Sequence, residues 1–400
     1  KIAFMFRVKA KNTVSQLIGR AIGSLSMIAV SLLIARRFGS EGYGDFVKIT
    51  TYVGFFYLFA DYGLNAIAIQ RTDSVWKVLL GLRLFMGVVL SVVSIGIISI
   101  MPHGFDQGYT DLVRLGIYLL TPAIVVQAVI TTANAYFQKK LRYDYSAAAQ
   151  VAGAVVMVIT AFTLSTGPLI GVISLLVGGI VTMLVSLSII AGETRDVRPV
   201  VRMSEFRSLF TTATPLGLAL IFNLVYFHAD SVILALTRST QEVGIYGLAY
   251  KVFELPLVVP IFFMNATYPI LLKTQHKKRV FTKSLIFLFA SSVCIAVALW
   301  ALAPLVTYIK PEFIQSVAPL RILLIGLPVF FVSGLYMWYM ISQNLLKPLL
   351  VIHGGAMIVN IVSNIIFVPT HGFMAAAWIT ILSESLVLIA SVVTLGRRGV

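Results

Sequence analysis

The chain has 400 residues, of which 59% are apolar and 12% charged, with 31 Lys and Arg against 15 Asp and Glu. Soluble domains are roughly 45–50% apolar and about 25% charged, so this composition, with a mean hydropathy of +0.95, excludes a soluble enzyme, a disordered chain and a single-span anchor. The one cysteine, Cys294, excludes a disulfide framework and a cysteine-built metal site.

About 236 apolar residues supply about a dozen membrane helices at roughly 20 residues each. In chain order the apolar runs predict helices over 13–35, 43–69, 77–100, 111–137, 144–166 and 168–191. The second set runs over 208–236, 243–272, 282–307, 313–342, 347–367 and 372–396. Lys1–Lys11 is basic and leads into a full-length span, so a cleavable leader is not expected. Residue 1 is not methionine, and the true start is expected upstream. No run has the ten-residue alternation of a membrane barrel. The fold class is therefore an all-α polytopic membrane protein.

The basic residues set the expected orientation. With the N-terminus inside, 21 of the 31 lysines and arginines fall in inner segments and 5 in outer loops. The 5 in outer loops are Arg36, Arg37, Arg114, Arg238 and Lys310. That bias predicts both termini in the cytoplasm. It also accounts for the net charge of +16 without nucleic acid, and it suits the basic loops to anionic membrane lipids. No outer loop exceeds about a dozen residues, which leaves little room for an outer domain.

Residues 31–48, SLLIARRFGSEGYGDFVK, resemble residues 231–251, SVILALTRSTQEVGIYGLAYK. At an offset of 203, Tyr43 matches Tyr246, Gly44 matches Gly247 and Lys48 matches Lys251. The first stretch joins helices 1 and 2 and the second joins helices 7 and 8. Two six-helix halves follow, over 1–192 and 208–400, with 193–207 as a cytoplasmic linker. Six is even, so the halves insert in the same direction, as parallel repeats with a substrate path between them.

The runs ARRFGSEGYGDFV, FADYGL at 59–64 and VGIYGLAYKVFELP at 243–256 resemble the polysaccharide-transporter family, the O-antigen and related lipid-linked oligosaccharide flippases. That family shares a superfamily with the multidrug and toxin extrusion transporters and the lipid II flippase. The resemblance implies two six-helix lobes in a V around a central cavity. It implies flipping of an undecaprenyl-pyrophosphate-linked oligosaccharide across the cytoplasmic membrane, with polysaccharide polymerase machinery as a partner.

Charges inside a membrane are costly and rare, so each is a candidate site. Lys48 and Lys251 lie about one turn inside matching spans. If both face the cleft they form a cationic clamp for a pyrophosphate. The competing reading is local pairing, with Asp45 three residues before Lys48 and Glu254 three after Lys251. Arg20 lies roughly 10 Å into helix 1, and its counterpart by offset is Asn223. Resemblance to lipid II flippases puts basic residues of helices 1, 2 and 8 on the cavity wall, and Arg20, Lys48 and Lys251 fall on those helices. A structural pair of Arg20 with Asp61 is the other reading. Arg36 and Arg37 stand at the outer mouth, as interfacial charges or as phosphate ligands during release.

No GxxxxGK[ST] loop is present, so transport is expected to draw on a gradient of H+ or Na+, with no other cofactor. The coupling candidates are Asp61, Asp230, Glu254 and Glu384. Asp61 reads as part of a packing motif. For Asp230 and Glu384, coupling and fixed helix contact both stand. Ser383 and Ser385 are the expected hydrogen-bond partners of Glu384. His228 and His353 are isolated and a zinc site is not expected. Competing functions are a multidrug antiporter, which favours an acidic aromatic pocket, and a lipid II flippase. An enzyme acting on the same lipid-linked sugars is also weighed, but the outer loops are too short for its catalytic residues.

Overall fold

The computed structural model describes residues 2–70, 76–101, 104, 107–164 and 167–397; within these, the side chains of 2–18, 20, 66, 70, 215–216, 219, 223–224, 265–266, 269–270 and 273 are not described. The described chain is built almost wholly of helices. In order these are α1 (Ile2–Asp61), α2 (Leu64–Gln70), α3 (Trp76–Ile100), α4 (Asp111–Leu120), α5 (Pro122–Lys139), α6 (Tyr143–Thr163) and α7 (Ile170–Thr194). They continue with α8 (Met203–Thr237), α9 (Thr240–Glu254), α10 (Val258–Lys273), α11 (Lys277–Leu302), α12 (Val317–Ser342) and α13 (Leu346–Arg397). Among the described residues, nine helical stretches are long and apolar enough to cross a membrane. Two of them, within α1 and α13, each hold a pair of predicted spans. With α8 the stretches account for all twelve.

Those pairs are joined by a single glycine. Gly39 has φ 72° and ψ −165°, and Gly372 has φ 62° and ψ −151°. Helix continues on both sides, so the expected loops shrink to one residue in the left-handed region, where a side chain is penalised. The span predicted over 43–69 stops earlier than expected. Tyr62 (φ 45°) and Gly63 (φ 69°) end α1 and α2 starts a new axis. The span over 111–137 is broken at Thr121–Pro122, where proline supplies no N–H. The Thr121 hydroxyl donates to the Ile117 carbonyl at 2.7 Å across that joint. The span over 243–272 is broken around Pro256 for the same reason.

The chain divides into two units, Lys1–Phe105 with Tyr109–Ile221, and Asp106–Gly108 with Phe222–Val400. The division falls inside α8, later than the linker expected at 193–207. The physical reason is packing of the first turns of α8: Phe206, Leu209 and Ala213 are buried with Tyr62, Leu64, Leu79 and Leu82. Phe210 stacks on Tyr62 at 4.6 Å with the rings 2° from parallel. The expected linker is itself held to the first unit, by a Lys77–Asp196 ion pair of 2.5 Å and a Val200 N–H donating to the Lys77 carbonyl at 3.0 Å.

In the first unit α6 and α7 cross through glycine. A Cβ at Gly153 would come within 2.5 Å of the Gly178 carbonyl, so only bare backbone allows this approach. In the second unit α12 is the buried centre, and it is tied to α9 by the Ser316 hydroxyl donating to the Ile245 carbonyl at 2.8 Å. Phe253 and Phe330 pack edge to face, 5.2 Å apart. Large apolar side chains such as Ile100, Val297, Val351 and Ile358 are exposed on helix exteriors. On membrane helices these are the surfaces that meet hydrocarbon rather than water.

Candidate functional site

The second unit carries a half-open cavity of about 450 Å³. α8 contributes Tyr226 and Phe227, the end of α9 contributes Glu254, and α10 contributes Val258, Ile261 and Met264. α12 supplies Phe330, Ser333, Gly334, Met337 and Trp338, and α13 supplies His353 and Glu384. The volume lies within the roughly 300–1,000 Å³ of small-molecule sites, and the pattern of apolar walls with a few polar groups is also theirs.

Glu384 is buried and accepts hydrogen bonds from the Tyr226 hydroxyl, at 2.8 Å, and from the Ser333 hydroxyl. Both donors are neutral, and no lysine or arginine among the described residues pairs with it. When ionised it therefore holds a negative charge with no cation against it. The expected partners Ser383 and Ser385 are turned elsewhere. Ser383 accepts from the Asn360 side chain at 3.1 Å and Ser385 donates to the Ile381 carbonyl at 2.8 Å. Adjacent helix positions point about 100° apart, so sequence neighbours do not share a partner. Nε2 of His353 is buried in the same unit without a hydrogen-bond partner.

A second buried carboxylate lies one turn along α8 from Tyr226. Asp230 accepts from the Tyr246 hydroxyl at 2.5 Å, the Thr380 hydroxyl at 3.2 Å and the Ser231 N–H at 2.6 Å. It joins α8, α9 and α13 at one point, and His228 lies beside it.

The repeat-matched lysines differ in setting. Lys48 is only 1% exposed, with Asp45 as its electrostatic neighbour in the same helix. Lys251 is about one third exposed and pairs with Glu254 at 3.3 Å. Each has an acid three residues away in its own helix, and the match is one of position rather than of environment. Tyr43 and Tyr246, by contrast, are both buried to 1%. The side chains of Arg20 and Asn223 lie outside the described residues. Arg36 is exposed, and Arg37 donates to the Ala161 and Phe162 carbonyls at 3.2 and 3.3 Å, closing the end of α6.

Asp61 is paired with Arg83. The Arg83 guanidinium is fully buried and donates to Asp61 at 2.5 Å, to its carbonyl at 3.3 Å, and to Asn65 at 2.7 Å. It spans the break between α1 and α2. The Asp-Tyr-Gly run is thus a helix terminus with a buried latch, in keeping with a packing role.

These arrangements have relatives. Residues 10–275 match the family described as Polysaccharide biosynthesis protein. The chain belongs to that family. Among solved structures, "Lipid II flippase MurJ, inward closed conformation" superposes with a TM-score of 0.76 at 14% identity, covering 97% of this chain and 87% of that one. An inward-facing multidrug resistance MATE family transporter of the MOP superfamily gives 0.75 at 14% identity, covering 96% and 97%. A MOP superfamily transporter from Pyrococcus furiosus, whose binding pocket is described as reversed in polarity, gives 0.64 at 14%, covering 98% and 95%. No protein of curated function matches the sequence. At this identity the structures establish a shared fold. This family member is a multi-pass membrane protein with the fold of these transporters.

Proposed function

We propose that the protein moves a lipid-pyrophosphate-linked oligosaccharide, a polysaccharide repeat unit, from the cytoplasmic to the outer leaflet of the plasma membrane. The observation that carries this reading is membership of the polysaccharide biosynthesis family on a chain with the fold of a flippase and of exporters. It is a transporter and not an enzyme in this reading. Two parallel halves work by alternating access, with both termini cytoplasmic. Of the basic groups embedded in the spans, Arg83 is latched by Asp61 and Lys251 is paired with Glu254; the others, Arg20, Lys48 and Arg321, suit an anionic cargo better than a cationic one. Undecaprenyl pyrophosphate is the expected lipid carrier, and O-antigen-type polymerase machinery the expected consumer of the product.

Asp230 and Glu384 are the coupling groups in this scheme. Each is a buried carboxylate served by hydroxyls and joins several helices, so gain or loss of H+ or Na+ there changes how α8, α12 and α13 hold together. The test is leaflet translocation of a lipid-pyrophosphate oligosaccharide in proteoliposomes, with an imposed pH or Na+ gradient. Movement that follows the gradient and stops in Lys48→Ala with Lys251→Ala supports the reading. Full transport in that folded double variant removes the two lysines from the pathway, and no sugar-lipid movement at all removes the flippase function.

A further inference from the structure

The cavity of the second unit has a chemistry opposite to that of an anionic cargo. We propose that it is a binding site for a small lipophilic monovalent cation, an amine or quaternary ammonium carrying an apolar or aromatic body. The inference holds whatever cargo the protein moves, because it rests on the cavity alone.

Charge is the first argument. Glu384 opens onto the cavity, and its two hydrogen bonds come from neutral hydroxyls. Asp230, one turn from Tyr226 on α8, is likewise served by hydroxyls and one N–H. Glu254 is matched by Lys251 and adds little net charge. His228 lies beside Asp230, and His353 offers an unpartnered Nε2. The local balance is therefore negative when the carboxylates are ionised. An anion would meet repulsion there, and a purely hydrocarbon ligand would leave the carboxylate buried against nothing that solvates it.

Shape and walls are the second argument. The lining is aromatic and aliphatic, with Phe227, Phe330 and Trp338 on facing helices. Aromatic faces attract quaternary ammonium groups, most strongly where water is excluded. About 450 Å³ admits a ligand of one aromatic ring with a substituted ammonium head. Gly334 widens the chamber: a Cβ placed on it meets no atom within 4 Å. A side chain at 334 therefore has open space to enter.

Calorimetric titration of the purified full-length protein with benzyltrimethylammonium tests the site. Neopentylbenzene, its uncharged isostere, is the control. One saturable site is expected, with the neutral isostere binding at least tenfold more weakly. Glu384→Gln keeps the shape and one of the two acceptor oxygens but removes the charge, and at least a tenfold loss is expected. Gly334→Leu fills the chamber and should abolish binding, whereas Gly334→Ala should retain most of it. Both are compared with wild type for thermal midpoint and monodispersity. Equal binding of the two probes, or unchanged affinity in a folded Glu384→Gln or Gly334→Leu variant, would overturn the proposal. Should Glu384→Gln fail to fold, the Gly334 pair decides alone.

Discussion

Arg83 is fully buried, and its guanidinium holds the Asp61 side chain, the Asp61 carbonyl and Asn65. Removing one member of a buried ion pair leaves the other uncompensated, at a cost near the low end of about 3–5 kcal/mol because Asp61 keeps some exposure. Arg83→Met should therefore lower the thermal midpoint strongly, and Arg83→Met with Asp61→Asn should recover part of the loss. A double variant no better than Arg83→Met would show that the ion pair is not what the arginine contributes. Asp230 obeys similar logic with neutral partners. Tyr246→Phe deletes the short hydroxyl donor and leaves Thr380 and the Ser231 N–H. A loss of roughly 1–3 kcal/mol in stability is expected, readable as a lower midpoint in a detergent melt. Asp61, Asp230 and Glu384 stand out in the sequence because each is an acid in an apolar run. Their partners do not: Arg83, Ser333 and Tyr226 reach them from other helices, and nothing in the local pattern announces the pairing.

At the scale of elements, glycine decides where the long helices break. Gly39 and Gly372 occupy the left-handed region, and Gly372 also lies against the Arg238–Glu242 pair, with a Cβ expected 2.6 Å from Glu242 Oε2. Gly372→Ala should cost more than the roughly 1–3 kcal/mol of the backbone alone, and more than Gly39→Ala, as read from the two melting midpoints. Equal losses would show that only the backbone conformation matters. The segment after α7 behaves differently. Asp196 is held below the usual carboxylate range, first by its hydrogen bond from Lys77 and then by the Arg198 N–H. A lowered folded-state pKa gives stabilisation that is complete above the unfolded value, about 3.9. That stabilisation is lost as pH falls through the lower folded value. Proteolytic nicking near 195–202 should therefore be unchanged at neutral pH and rise only on strong acidification. Asp196→Asn should show the acid-like nicking at neutral pH.

For the whole molecule, the distribution of lysine and arginine predicts which loops share a side. With Cys294 replaced by serine, a single cysteine at Arg142 and another at Lys310 should be labelled by an impermeant thiol reagent from opposite faces of the membrane. Labelling of both from the same side would overturn the orientation. The sequence alone determined that this is a polytopic helical membrane protein, roughly where its apolar spans lie, that residues 31–48 resemble residues 231–251 and which family it resembles. Those properties are local or cumulative: apolar length, charge bias and short motifs are all read along the chain. What only the tertiary structure decided is which groups meet. It placed the boundary between units inside α8, because Phe206, Leu209 and Ala213 pack with the Tyr62 core. It gave Asp61 to Arg83, and it separated the matched lysines into a fully buried one and a partly exposed one. It brought Glu384 and His353 to one cavity from positions far apart on α13. Helix rotation and crossing set those meetings, and both depend on packing against partners that are distant in sequence.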